Sequence, residues 1–273
     1  MAGILLTAKT RVAERLDFSG LTPADLARGA TNELSAHVVG TTRHALRLAD
    51  VFDVRSGGAD GDVMVETGGA LIDGLGASMT GGRLIITGDA GERVGVGMKG
   101  GRIEVRGRAG GHAGAGMSGG LIHIAGDCGD CAGGLIAGKR FGMTGGTISI
   151  DGSAATRTGE KMRRGTILVR GATGAMAGVR MLGGTIVAEG GVGPDAGRLM
   201  RRGTILASGL ARGAGIPATF ADCGVHDLVI LRIMARDWTR ELGPLAPRFT
   251  PHVVRRYAGD LATIGKGELL LPA

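Results

Sequence analysis

The chain has 273 residues, 43% of them hydrophobic, with a formal net charge of +7 and a pI near 10.0. This is enough apolar material for a full core, yet no apolar run approaches membrane-spanning length. Aromatic residues make up only 3%, too few for the stacking platforms of nucleic-acid readers, so the basic balance points to an acidic protein partner or an anionic small molecule.

Three Cys residues fit a reducing compartment without a disulfide framework. The N-terminus shows no charged stretch followed by an apolar one, so a cytoplasmic protein is expected. Arg outnumbers Lys 27 to 5, which together with abundant Ala and Gly suggests a GC-rich coding bias.

In chain order, residues 1–57 form an N-terminal capping segment. Ile4–Lys9 reads as a strand. Leu21–Arg28 reads as a short helix, with Thr22 as N-cap, Pro23 at its first position and Gly29 closing it. Glu33–Val39 and Leu48–Val54 fit either strands or helix fragments. An irregular first repeat, Asp62–Gly68, precedes a regular array.

That array dominates residues 58–209. The phrase Met79-Thr-Gly-Gly-Arg-Leu-Ile-Ile-Thr-Gly88 returns in modified form at Met98, Met117, Met143, Met162, Met181 and Met200, at intervals of nineteen residues except for one of twenty-six. With each Met counted as zero, Gly recurs at +3, +9 and +16, while +5 and +7 are apolar, from Leu84/Ile86 to Ile205/Ala207. Alternating apolar residues over about five positions signal a strand, and the period leaves no room for a crossover helix. The predicted fold is therefore all-β: a right-handed parallel β-helix of about seven nineteen-residue coils. Gly is expected at corners needing positive φ, with Met stacked on Met inside.

Equivalent offsets should also stack on the outside. Thr147, Thr166, Thr185 and Thr204 would form a hydroxyl ladder at +4, while Asp151, Arg170 and Glu189 alternate in sign at +8. At +6, Leu168, Val187 and Leu206 make an apolar strip that requires cover. Residues 210–273 form a C-terminal extension, and its amphipathic stretch 225–242 is the expected helical cap over that strip. The tail ends in a strand-like Leu269-Leu-Leu-Pro.

No catalytic residues and no metal site are expected. Gly95-x-Gly97-x-x-Gly100 matches a dinucleotide fingerprint by letter, but strands follow it where a helix is required. Cys128-x-x-Cys131 lies in the insertion between Gly126 and Met143 without His partners at ligand spacing, so the thiols are expected to fill a Gly-rich loop. His123 is placed on the outer face. The candidate binding residues are basic: Lys161, Arg163, Arg164, Arg180, Arg201 and Arg202, which with Arg198 should stack along one edge.

The unit Gly-x-x-Gly-x-x-(Ala/Val)-Gly-x-x-Met-x-Gly-Gly-x-Ile-x-Val-x-Gly, together with the insertion ending Gly138-Lys-Arg-Phe-Gly-Met143, resembles the GXGXG-type domain of the formylmethanofuran dehydrogenase C-subunit family. The resemblance covers nearly the whole chain. It implies a non-catalytic scaffold that binds no cofactor of its own. In one family assembly, the formyltransferase/hydrolase complex of methylotrophs, formyl passes from formyl-tetrahydromethanopterin to methylofuran and is hydrolysed to formate. The implied partners there are amidohydrolase-like, formyltransferase and dehydrogenase-B-like subunits, with zinc on a partner and no nucleic acid or membrane involved. The alternatives are the C-subunit of a molybdenum or tungsten formylmethanofuran dehydrogenase and a glutamate-synthase-like structural domain. The Arg/Ala/Gly-rich composition favours the methylotroph complex. The resemblance also suggests a ligand for the basic edge, namely the polyglutamate arm of the carrier or a partner protein.

Overall fold

The computed structural model describes residues 3–9, 14–21, 34–41, 45–56 and 62–273. The expected helix at 21–28 lies, apart from Leu21, outside the described residues. The N-terminal part contributes β1 (Ile4–Ala8), β2 (Leu16–Asp17), a single helical turn α1 (Leu48–Val51), β3 (Phe52–Ser56), β4 (Asp62–Glu66) and β5 (Ile72–Asp73). The ambiguous stretch 48–54 is thus a helical turn running into a strand. Phe18 packs edge-on against Phe52 at 5.6 Å, among the fully buried Leu6, Leu16, Leu48 and Ile72.

The regular array supplies β6 (Arg83–Thr87), β7 (Arg102–Val105), β8 (Leu121–Ile124), β9 (Thr147–Ile150), β10 (Thr166–Val169), β11 (Thr185–Ala188) and β12 (Arg202–Ala207). Each pairs in parallel with the next at equal offset, so Leu84, Ile103, Ile122, Ile148, Ile167, Ile186 and Ile205 form one file. A second file of parallel bridges joins Ala90, Ala109, Cys128, Ala154, Thr173, Val192 and Leu210. The result is a mostly β protein built on one thirteen-stranded, largely parallel sheet. No helix among the described residues is long and apolar enough to cross a membrane.

The interior follows the repeat. All seven Met residues at offset zero are buried, as are both apolar positions of every strand. From Gly101 onward, each +3 Gly lies on the Met of the preceding repeat. Gly120 shows why no other residue serves: its φ is +87°, and an added Cβ would stand 2.6 Å from the Met98 Cε. The expectation of positive φ fails at +9. From Gly107 to Gly190 those residues are absent from the left-handed region, and Gly is needed there because the backbone of the preceding repeat is within contact of any Cβ.

The twenty-six-residue repeat corrects the placement of the cysteines. Cys128 keeps its place in the second file, and the Gly133 N–H donates to the Ala113 carbonyl just as the Gly114 N–H donates to Val94. The extra residues therefore occupy 134–142, where other repeats have two residues. Cys128 and Cys131 belong to the stack and not to the projecting loop.

The apolar +6 strip is covered as expected, though the helix begins later. Val225 to Asp227 belong to β13 (Ala221–Asp227), and α2 runs Val229–Leu242. Leu231 and Trp238 of α2 bury Leu168, Val187 and Leu206, together with Val254 and Leu270. The +8 row anchors this cover. Arg170 pairs with Asp151 at 2.6 Å and donates to the Pro244 carbonyl, while Glu189 accepts the Arg248 and Phe249 amides. Arg170 and Glu189 thus serve the cover and do not pair with each other. The tail then re-enters the sheet: β14 (Val253–Gly259) pairs antiparallel with β15 (Lys266–Pro272), and β15 lies parallel to β12 as one further rung, Ile205 opposite Leu269. Phe220 lies against Gly197 and Gly259, filling that end of the stack.

Two outcomes test this packing. Gly120→Ala combines a left-handed backbone with overpacking and is expected to cost roughly 2–4 kcal/mol in denaturant unfolding, whereas Gly81→Ala, with nothing within 4 Å of the new methyl, leaves the midpoint nearly unchanged. Leu206→Asp places a charge beneath α2, so the emission of Trp238, the chain's single Trp, should shift to the red as the cover lifts, while the repeats keep their β-sheet circular dichroism.

Candidate functional site

The corners, not the strands, carry the unusual residues. At +1 the sequence of repeats reads Thr80, Lys99, Ser118, Thr144, Arg163, Leu182, Arg201, and at +2 Gly gives way to Arg164 and Arg202. Stacking at equal offset places Arg163 and Arg201 on either side of Leu182, two strand spacings or roughly 9.6 Å apart. Arg164 and Arg202 flank Gly183 in the same way. Arg163, Arg201 and Arg202 line an open cavity of about 370 Å³ with Phe141, Leu182 and Ile264.

The structure does not bring all six candidate residues together. Arg180 lines a separate cavity of about 240 Å³ with Arg198, Arg157 and Glu160. Lys161 and Arg180 occupy the corner immediately before the Met, where their φ values are +51° and +56°. Gly97 and Gly116 hold the equivalent position with φ +65°. A left-handed corner turns these two side chains away from the +1 row, which is why residues two positions apart do not form one edge. Lys161 and Arg164 line neither cavity. Among the described residues, none of the six candidates makes an ion pair, whereas Arg157 is held by Glu160 at 2.6 Å and Arg198 by Asp195 at 3.7 Å.

Phe141 is the residue that sequence reasoning missed. It closes the 134–142 insertion, and its ring carries the guanidinium of Arg140 at 5.6 Å and that of Arg163 at 5.3 Å, both within cation–π range. The tail adds Lys266, directly opposite Arg202 in the β12–β15 pairing, and the exposed Ile264. The signal was present in the sequence: Phe141 is one of only five Phe residues and sits in the one insertion.

The remaining candidates resolve into structure. The His123 Nε2–H donates to the Asp151 carboxylate at 3.1 Å, and the side chain is mostly buried on the outer sheet face. The described residues contain no group of three or more His, Cys, Asp and Glu that could hold a metal. Burial pushes the Cys128 thiol up to about 12; burial, then the Glu160 carboxylate, raises Cys131. Neither thiol is poised as a nucleophile.

No family model matches the chain. A stretch of 81 residues is 42% identical to the C-subunit of the formyltransferase/hydrolase complex of Methylorubrum extorquens, spanning 30% of this chain and 30% of that protein. The fold matches a chain in the crystal structure of the formyltransferase/hydrolase complex from Methylorubrum extorquens in complex with methylofuran, with a TM-score of 0.89 and 39% identity over 98% of this chain and 99% of that one.

The raised Cys128 value carries a signed consequence. In the unfolded chain the thiol ionises near 9.0, in the folded one near 12, so its contribution to stability is intact below about pH 9 and is lost as pH rises from 9 towards 12. Cys128→Ala, which installs the residue that Ala109 and Ala154 already place in the same file, is expected to flatten that alkaline fall in unfolding midpoint.

Proposed function

The chain belongs to the C-subunit family of the formyltransferase/hydrolase complex, and from that premise we propose that it is a non-catalytic scaffold in such a complex. The complex would transfer formyl from formyl-tetrahydromethanopterin to methylofuran and hydrolyse it to formate. The observation that carries this reading is the end-to-end match, at 39% identity, to a chain resolved inside that assembly.

The architecture supports the scaffold role. The stacked repeats wind as a right-handed parallel β-helix, the hand that parallel connections in one sheet adopt. Met and Ile side chains fill its bore from the first regular repeat to Phe220, so any work falls to the outer faces. The division of labour is 1–57 for the N-terminal cap, 58–209 for the coils and 210–273 for the cover and closing rung. Amidohydrolase-like, formyltransferase and dehydrogenase-B-like subunits would be the partners, zinc would sit on a partner, and the assembly would work in the cytoplasm. Lys161, Arg163, Arg164, Arg180, Arg201 and Arg202 would meet anionic groups of that assembly, on the carrier or on a neighbouring protein.

Gentle purification of the tagged chain from its native host tests the reading. The expected result is co-purification of amidohydrolase-like and formyltransferase subunits with zinc and without molybdenum or tungsten. Pterin-bound metal with iron–sulfur proteins would assign the chain to a dehydrogenase instead, and a chain that purifies alone would end the scaffold proposal.

A further inference from the structure

The cavity beside Phe141 has a composition that a purely ionic contact leaves unused. The cations that line it are Arg163 on one repeat and Arg201 and Arg202 two repeats on; Arg164 follows Arg163 in the chain, and Lys266 stands opposite Arg202 on the closing rung. The insertion adds Lys139 and Arg140 at the rim, both exposed. None of these seven has an acidic partner among the described residues. Between the two Arg pairs, however, the floor is apolar: Leu182 is half-buried, Gly183 offers no side chain, and Ile264 is 45% exposed with Leu261 at 60% close by in the chain. Phe141 closes the slot on the insertion side.

We propose that this slot is a docking site for an extended acidic segment of a neighbouring protein in the assembly, with the pattern acidic–x–apolar–x–acidic. The inference rests on the reading that the chain works inside a multi-subunit complex. The apolar side chain seats on Leu182 between Phe141 and Ile264, and the carboxylates on either side reach Arg163 at one end and Arg201 with Arg202 at the other. The lengths agree. In an extended strand, alternate residues share a face about 6.8 Å apart, so the two acidic residues stand about 14 Å apart. Guanidinium groups rooted roughly 9.6 Å apart span that distance with their own side chains. Planar guanidinium forks also suit bidentate carboxylate pairing. A uniformly anionic chain would satisfy the charges but leave Phe141, Leu182 and Ile264 facing water, so a segment that covers both kinds of surface is favoured.

The test uses the full chain and the remaining subunits of the complex, expressed together without it. Binding of the purified chain is measured for the wild type, for Arg163→Glu with Arg201→Glu, and for Leu182→Asp. Both variants are expected to weaken binding at least about tenfold, the effect of losing an interface anchor, while their isolated melting temperatures stay within a few degrees of wild type. Phe141→Ala, which changes no charge, should weaken binding by a smaller factor and so separate the apolar seat from the ionic one. Variants that all bind as the wild type does would overturn the proposal. So would full assembly with a raised KM for methylofuran, which would give the slot to the carrier's anionic arm, or loss only of self-association, which would give it to a second copy. A wild-type chain that binds none of those subunits would instead end the scaffold reading, and this inference with it.

Discussion

Every residue in the array lies one strand spacing from its counterpart in the next repeat, so each offset must tolerate a stacked copy of itself. The rest of the structure depends on this constraint. At zero and +3 it produces a paired solution, in which the flexible thioether of one repeat lies on the missing side chain of the next, as Met98 does on Gly120. At +5 and +7 it produces files of Ile, Val and Leu, with Ala at the last two +7 positions, which bury because the strand above and the strand below present similar shapes. In the middle of the second file the residues are small, and Cys128 is there as one of them, between Ala109 and Ala154.

A stack built this way cannot absorb change in its strands without breaking register, but it can at its corners. The seven additional residues accordingly lie between the last Gly of one repeat and the Met of the next, and the pairing of Leu121 with Thr147 is undisturbed. The open +6 face meets the same constraint from outside. Three apolar residues in file need one continuous cover, and a helix with Leu231 and Trp238 about two turns apart supplies it. The polar +8 file beside it then serves as an anchor, with Arg170 and Glu189 meeting backbone groups of the segment that follows α2.

This explains what could be read from the sequence and what could not. The period, the buried offsets and the need for a cover over Leu168, Val187 and Leu206 follow from stacking alone, which is one-dimensional and visible in the letters. The position of the insertion within its repeat is not visible, because a longer interval shows how many residues are added but not which ones hold the register. Hydrogen bonds such as Gly133 to Ala113 decide that. The grouping of the basic residues failed for a related reason. Stacking predicts neighbours between repeats, as with Arg163 and Arg201, but within a repeat the left-handed backbone at Lys161 and Arg180 sends adjacent residues in different directions. The closing rung was legible as a strand in Leu269–Pro272, yet its place beside β12 depends on a chain reversal through β13 and β14 that no periodicity encodes.

The same regularity makes the molecule a ruler. Any substitution at one offset is held at a known height, so two Arg-bearing corners separated by an unmodified one define a fixed gap with a fixed floor. At +1 and +2 the gap between Arg163/Arg164 and Arg201/Arg202 is one repeat wide, and its floor is Leu182 and Gly183. The charges alone would attract any anion, and at physiological salt their reach is only about 8 Å. The spacing and the apolar floor add a geometric condition that a bare anion does not meet. Selectivity of this kind requires a rigid backbone under the charges, and a packed bore of Met and Ile provides one without any residue at the site having to contribute to the fold.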